Sequence, residues 1–146
     1  MNKFSQRMLL CAVCALLLLT LTQASGQGTK VPQDILTGKN PVPTSDAVLA
    51  KGKAAFKDNC AQCHGETGKG DGPMAGMLKE PPADLSDPAI VGPLTDGEMF
   101  WSITKGRPPV MPAFEAKIAN QDRWALVNFL RALSNTKPNT KPHKGQ

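Results

Sequence analysis

Residues 60 to 64 read Cys-Ala-Gln-Cys-His, and no other five residues restrict the fold so tightly. Two thiols about one helical turn apart, followed at once by an imidazole, put three ligand or nucleophile groups in one short patch. The surrounding stretch, "NCAQCHGETGKGDGP" over residues 59 to 73, contains two of the four cysteines and one of the two histidines. The other cysteines, Cys11 and Cys14, repeat the spacing in "CAVCA" without a histidine behind them. The second pair therefore has a task that requires His64, and the first does not.

Which cysteines serve the working protein depends on the N-terminus. Lys3 and Arg7 precede an uncharged run, Met8 to Thr22, and Thr22-Gln23-Ala24 offers a small-residue cut. A basic start, an apolar stretch of about 7–15 residues and such a cut describe a secretory signal peptide, here residues 1–24. The run falls short of the roughly 18–20 apolar residues that span a bilayer; a retained anchor is the alternative. Cleavage removes Cys11 and Cys14 and sends the chain to an oxidising compartment, periplasmic or otherwise exported. The net charge falls from +5 to +3 once Lys3 and Arg7 go, from 17 basic and 12 acidic residues in the full chain. That balance is too mildly basic to argue for nucleic acid.

Residues 25–43, "SGQGTKVPQDILTGKNPVP", read as a Pro/Gly-rich linker or loosely docked arm. Residues 135–146, "NTKPNTKPHKGQ", repeat Asn-Thr-Lys-Pro without a large apolar side chain and read as a basic disordered tail. Between them, residues 44–134 form one domain. A domain that small often needs a staple, a metal or a cofactor to complete its core.

Three helices are expected. "TSDAVLAKGKAAFKDNC" opens with cap residues Thr44, Ser45 and Asp46, and Val48, Leu49, Gly52, Phe56 and Cys60 share one face. Gly52, costly inside a helix, implies close approach of another helix. "TDGEMFWSITKG" has a Thr95/Glu98 capping box and stops at Gly106. "NQDRWALVNFLRALS" is capped by Asn120 and has a broad apolar surface from Trp124 to Leu133. No segment alternates as a strand does, and the connections are rich in Gly and Pro. The fold class is all-α, with stiff loops.

C-x-x-C-H is the attachment signature of c-type haem. Each thiol adds across a haem vinyl group, so Cys60 and Cys63 would tether the ring by thioethers, and His64 would meet the iron. A structural zinc site needs about four ligands, and His143 in the tail is the one histidine left. A thioredoxin-like dithiol would sit near a β-α-β pattern, and none is visible. A plain disulfide leaves His64 unexplained. For the second axial position, Met99 reads as core, and Met74 and Met77 as packing. Met111 sits in "GRPPVMPAF" between Pro109 and Pro112, a loop with little conformational freedom to lose on binding iron. The expected metal ligands are His64 and Met111, and a Met/His pair raises the reduction potential.

"GKAAFKDNCAQCHG", "VMPAF" and "DRWALVNFLRAL" together resemble the monohaem class I cytochromes c, in their bacterial, exported branch, over about residues 46 to 134. The resemblance implies a small helical domain wrapped around one covalently bound haem c. It implies that Gly52 and Phe56 cross the last helix near Leu126 and Phe129. It also implies that "GDGP" brings the Pro73 carbonyl to the His64 ring N–H, and that Trp101 or Arg107 contacts a haem propionate. The function implied is single-electron transfer between redox proteins rather than enzyme catalysis. The partners implied are transiently docked proteins, including peripheral contact with membrane-bound respiratory complexes, by a monomer whose exposed haem edge lies near Lys57, Lys69 and Lys105. The alternative is a fixed electron-accepting haem subunit of a larger dehydrogenase or oxidase complex; a haem sensor or peroxidase with a displaceable methionine is a third reading.

Overall fold

A computed structural model of the chain describes residues 31–141. The expected leader over residues 1–24, the first part of the arm and His143 lie outside the described residues. Helix α1 spans Gln33–Leu36, α2 Asp46–Asn59, α3 Ala61–His64, α4 Pro88–Val91, α5 Asp96–Lys105 and α6 Asn120–Leu133. A short 3-10 turn covers Ala75–Met77. Among the described residues there is no strand, only two isolated bridges, Thr95 with Asn139 and Arg107 with Met111. The fold is all-α, as the residue pattern implied.

Helix α2 starts where Ser45 accepts a hydrogen bond from the Val48 N–H at 3.3 Å. It crosses α6 at Gly52, where an added Cβ would lie 2.2 Å from the Ala125 carbonyl oxygen and 2.8 Å from the Phe129 Cβ. One turn on, Phe56 meets Phe129 with ring centroids 5.3 Å apart. Glycine is therefore kept for approach, as its cost within a helix suggested, and the contact falls on Ala125 and Phe129. Gly52→Ala should destabilise the domain by about 1–3 kcal/mol, the usual range for overpacking a tight contact. Urea unfolding of the two proteins checks this; equal midpoints would mean that the helices have room to part.

Helix α5 has the expected capping box. Glu98 N–H donates to Thr95 Oγ1 at 3.0 Å, and Thr95 N–H donates to Glu98 Oε2 at 2.6 Å. Both residues are fully buried, so these bonds stand in for lost water. Helix α6 departs from expectation at its start. Asn120 is its first helical residue rather than its cap; Ala119 holds that position without a side-chain bond, its carbonyl accepting from the Asp122 and Arg123 N–H groups. Burial of Ile118 just before it sets where the helix begins, so packing overrides the better capping chemistry of Asn120.

Arg131 is a heavily bonded side chain of the interior. It donates to Asp96 Oδ1 at 2.9 Å, to the Val91 carbonyl at 3.1 Å and to the Leu94 carbonyl at 2.6 Å. Arginine and aspartate side chains are each 6% exposed, so one guanidinium ties α6 to the start of α5 and the end of α4.

The flanking segments also contact the domain. Asn40 Nδ2 donates to the Trp124 carbonyl at 3.0 Å, and Asn128 Nδ2 to the Val42 carbonyl at 2.9 Å. The Ile35 carbonyl lies so close to Gly97 that no Cβ fits there. At the other end, Thr136 N–H donates to the Arg131 carbonyl at 2.9 Å, and Asn139 donates to the Pro93 carbonyl. Composition alone pointed to loose segments, the arm because it is rich in Gly, Pro and polar residues and the tail because it lacks large apolar side chains. What holds them is asparagine side chains pairing with carbonyls, which an apolar count does not register.

Candidate functional site

The site is assembled from a helix that breaks and restarts. Cys60 N–H still bonds the Phe56 carbonyl at 2.8 Å, ending α2, while the Cys60 carbonyl accepts from His64 N–H at 2.9 Å, opening α3. Cys60, Cys63 and His64 are thus three and four residues apart in one turn, which places them side by side. Both cysteines are half-buried and not joined to each other.

The glycine-rich loop behind them has a definite task. A helix end leaves carbonyls without partners, and this loop supplies them: Gly70, Gly72 and Met74 N–H groups donate to the carbonyls of His64, Cys63 and Gln62 at 2.8, 3.1 and 2.8 Å. A Cβ on Gly72 would lie 2.5 Å from the Ala61 and Gln62 carbonyl oxygens, so only glycine brings the backbone this close.

One expectation is corrected here. The His64 ring bonds the Ala83 carbonyl, with Nδ1 3.0 Å from its oxygen, and not the Pro73 carbonyl. "GDGP" is occupied in closing the end of α3, and the imidazole turns instead to "PPADL". Gly70 lets that segment approach, since a Cβ there would meet the Pro82 carbonyl oxygen at 2.3 Å. A carbonyl can only accept, so Nδ1 carries the proton and Nε2 keeps a free lone pair. Such an outer bond fixes tautomer and ring direction in metal-ligating histidines. Burial lowers the His64 pKa, and the Ala83 bond partly opposes this. Burial first, then the neighbouring Cys63, raises the Cys60 pKa to about 11, with Lys117 pulling the other way. Both effects favour a neutral imidazole and a neutral thiol.

These side chains border a cleft of about 320 Å³, within the roughly 300–1,000 Å³ usual for cofactor sites. Phe56, Ile103, Leu126 and Leu130 from α2, α5 and α6 form its apolar lining, and Met111 lines it as well. Met111 is half-buried and rests on the core. Its loop is clamped: Arg107 N–H donates to the Met111 carbonyl at 2.9 Å, and Met111 N–H to the Arg107 carbonyl at 3.0 Å. Gly106, at φ 71°, permits this return, because a Cβ would lie 2.5 Å from the Met111 carbonyl oxygen. Met99 also lines the cleft while buried in the core; Met74 and Met77 are exposed and do not line it. Arg107 reaches the cleft wall, its Nε and Nη2 donating to Ser102 Oγ at 3.2 and 3.0 Å. Trp101 does not; it lies under the Lys105 ammonium, 5.6 Å from the ring centroid.

The Ala83 carbonyl and Arg131 were missed from sequence. "PPADL" was a visible signal for the first. Arg131 resembles any polar residue on a helix until its neighbours are known.

A cleft lined by apolar side chains, with two thiols, an imidazole and a thioether on its walls, fits a flat, largely apolar ring carrying iron. A family model for cytochrome c matches residues 49–134. The chain belongs to the cytochrome c family, and its cofactor is a covalently bound haem c that serves electron transfer. Among curated relatives, it is 30% identical over 96 residues to the cbb3-type cytochrome c oxidase subunit FixP of Rhizobium etli, covering 66% of this chain and 31% of that one. A FixP subunit of a Bradyrhizobium species is 30% identical over 117 residues, covering 75% and 38%. The chain thus spans about a third of the length of these relatives. Among solved structures, a chain of the Kuenenia stuttgartiensis reducing HAO-like protein complex superposes with a TM-score of 0.55 at 25% identity, covering 64% of this chain and 46% of that one.

Proposed function

We propose that this protein is an exported one-electron carrier whose haem is tethered by Cys60 and Cys63, with iron ligated by His64 and Met111. The observation that carries the reading is the convergence of those four side chains on one apolar cleft. When bound, the haem supplies an iron centre that cycles between ferric and ferrous. The chain's own residues do the rest. His64 presents Nε2 because Ala83 holds its other nitrogen. Met111 offers a thioether from a loop already closed by its bonds to Arg107, so little rearranges as an electron passes. Phe56, Ile103, Leu126 and Leu130 exclude water, which favours the less charged ferrous form. Arg107, which lines the cleft and is fixed by Ser102, would meet a propionate.

Residues 1–24 act as the export leader, and 44–134 as the electron-transfer domain between an arm and a basic tail. Among the described residues no helix is long and apolar enough to cross a membrane. Partners dock as proteins, transiently and over a small interface. Lys57, Lys69 and Lys117 are exposed cations near the site, whereas Lys105 is paired with Glu115 at 2.6 Å.

The test is the absorption spectrum of the haem-loaded protein. Ferric wild type should show a weak band at the red end, from sulfur-to-iron charge transfer. Met111→Ala should abolish it and lower the reduction potential, and Met99→Leu should leave both in place. Survival of the band in Met111→Ala would assign the ligand elsewhere. Ready carbon monoxide uptake by the reduced wild type would favour a sensor or peroxidase with an open iron.

A second reading is favoured by the relatives named as oxidase subunits and by the solved chain in a reducing HAO-like complex. In it the protein is a resident electron-accepting haem subunit. Sedimentation of the native protein separates the two: a lone monomer supports the free carrier, and a stoichiometric companion supports the subunit.

A further inference from the structure

Helix α6 contains two buried arginines, and the protein treats their charges differently. Arg131 is neutralised by Asp96, 2.9 Å away. Arg123 is 5% exposed, yet its Nε and Nη1 atoms have no hydrogen-bond partner among the described residues. Its guanidinium lies over the Phe100 ring, 5.2 Å from the centroid, and Phe100 stacks on Trp124 at 3.9 Å. The ring face offsets part of the cost of taking the cation out of water, but it does not cancel the charge.

Among the described residues Arg123 makes no salt bridge. Glu115 feels Arg123 only after Lys105, whose ammonium it holds at 2.6 Å on the surface. The other buried side-chain atom without a partner among the described residues, Thr104 Oγ1, is neutral. Arg123 is thus a permanent cation inside a small domain, which an arginine cannot relieve by losing its proton.

Its position gives that charge a consequence. Arg123 stands three residues before Leu126 on the same helical stripe, about 4.5 Å along the axis, and Leu126 lines the cofactor cleft. Phe100, the ring it covers, adjoins Met99, and Met99 lines the cleft too.

We propose that Arg123 is a fixed, buried positive charge, without a salt-bridge partner among the described residues, that raises the reduction potential of the haem site. The proposal rests on the electron-transfer reading above. When a protein donor delivers one electron, no bond forms or breaks, the iron is reduced, and the charge of the site falls by one. A cation held nearby therefore favours the electron-bearing form. The low-dielectric interior transmits its field, whereas water and salt screen the exposed ammonium groups of Lys57 and Lys69. In this family of sites burial and local dielectric are among the levers a protein has on potential, and a buried cation acts through both.

The experiment is a spectroelectrochemical titration, at neutral pH, of the full haem-loaded chain as wild type, Arg123→Met and Arg123→Lys. Arg123→Met should titrate at a clearly lower potential. Arg123→Lys, titrated also at lower pH where a buried lysine is protonated, keeps the charge and should there stay near wild type. If Arg123→Met proves too unstable to titrate, Arg123→Gln is also neutral and must show the same fall. A neutral variant at the wild-type potential overturns the proposal, as does an Arg123→Lys that falls equally and does not recover as the pH is lowered, where a buried lysine regains its proton; packing would then be the cause. The red-end band recorded on the same samples separates the two levels. Its absence from wild type overturns methionine ligation, while an intact band with unmoved potentials overturns only the role of Arg123.

Discussion

Changing Cys60 and Cys63 together to alanine yields a chain that carries no covalent haem and no longer unfolds cooperatively. The expectation follows from where the apolar surface lies. Phe56, Ile103, Leu126 and Leu130, main members of the core, all face the cleft, so the cofactor is the other half of their packing. Without its tether those side chains gain little from burial, at about 25 cal/mol per Å² of apolar surface removed from water. A domain of this size has little else to offset the entropy of ordering. Haem staining of a denaturing gel reads the first part. Limited proteolysis and a urea titration followed by circular dichroism read the second. A stainless but protease-resistant, cooperatively folded product would show that the protein core suffices alone.

Arg131→Ala should cost about 3–5 kcal/mol, the range found when one partner of a buried pair is removed. The substitution strands Asp96 in the interior and frees the carbonyls of Val91 and Leu94. Against a total of about 5–15 kcal/mol for a typical domain, that is a large share. Urea unfolding of the haem-loaded protein measures it. The sharper control is the pair Arg131→Met with Asp96→Leu, which removes both charges and should recover much of the loss, because a well-packed apolar pair often replaces a buried ion pair at no cost. A loss below about 1 kcal/mol in Arg131→Ala, the scale of an exposed pair, would mean that water reaches this contact.

Much was legible before any coordinates, and for reasons that are local. A capping box is a relation between residues three apart, so Thr95 and Glu98 announced the start of α5. A glycine in an otherwise apolar stripe announced a crossing at Gly52. Cys-x-x-Cys-His is a chemical motif within one turn. Each depends on backbone geometry that neighbouring residues share. The failures are local signals overruled by distant ones. Asn120 has the better capping chemistry, but the burial of Ile118 decides where α6 begins. The resemblance put the Pro73 carbonyl against His64, but the loop holding it closes α3, and the His64 ring finds Ala83, nineteen residues along the chain. The asparagines that hold the arm and tail act over still longer separations, Asn40 on Trp124 and Asn139 on Pro93.

What the amino-acid order determined alone is the three long helices, the covalent attachment motif and the side-chain types available as ligands, because those follow from contacts within a turn or two of backbone. What only the tertiary structure decided is which carbonyl orients the imidazole, which arginine is neutralised and which is left charged, and which polar side chains hold the ends. Those depend on how closely separate segments approach, and burial, which sets the strength of every charge and hydrogen bond, is a property of the assembled chain and not of its neighbours in sequence.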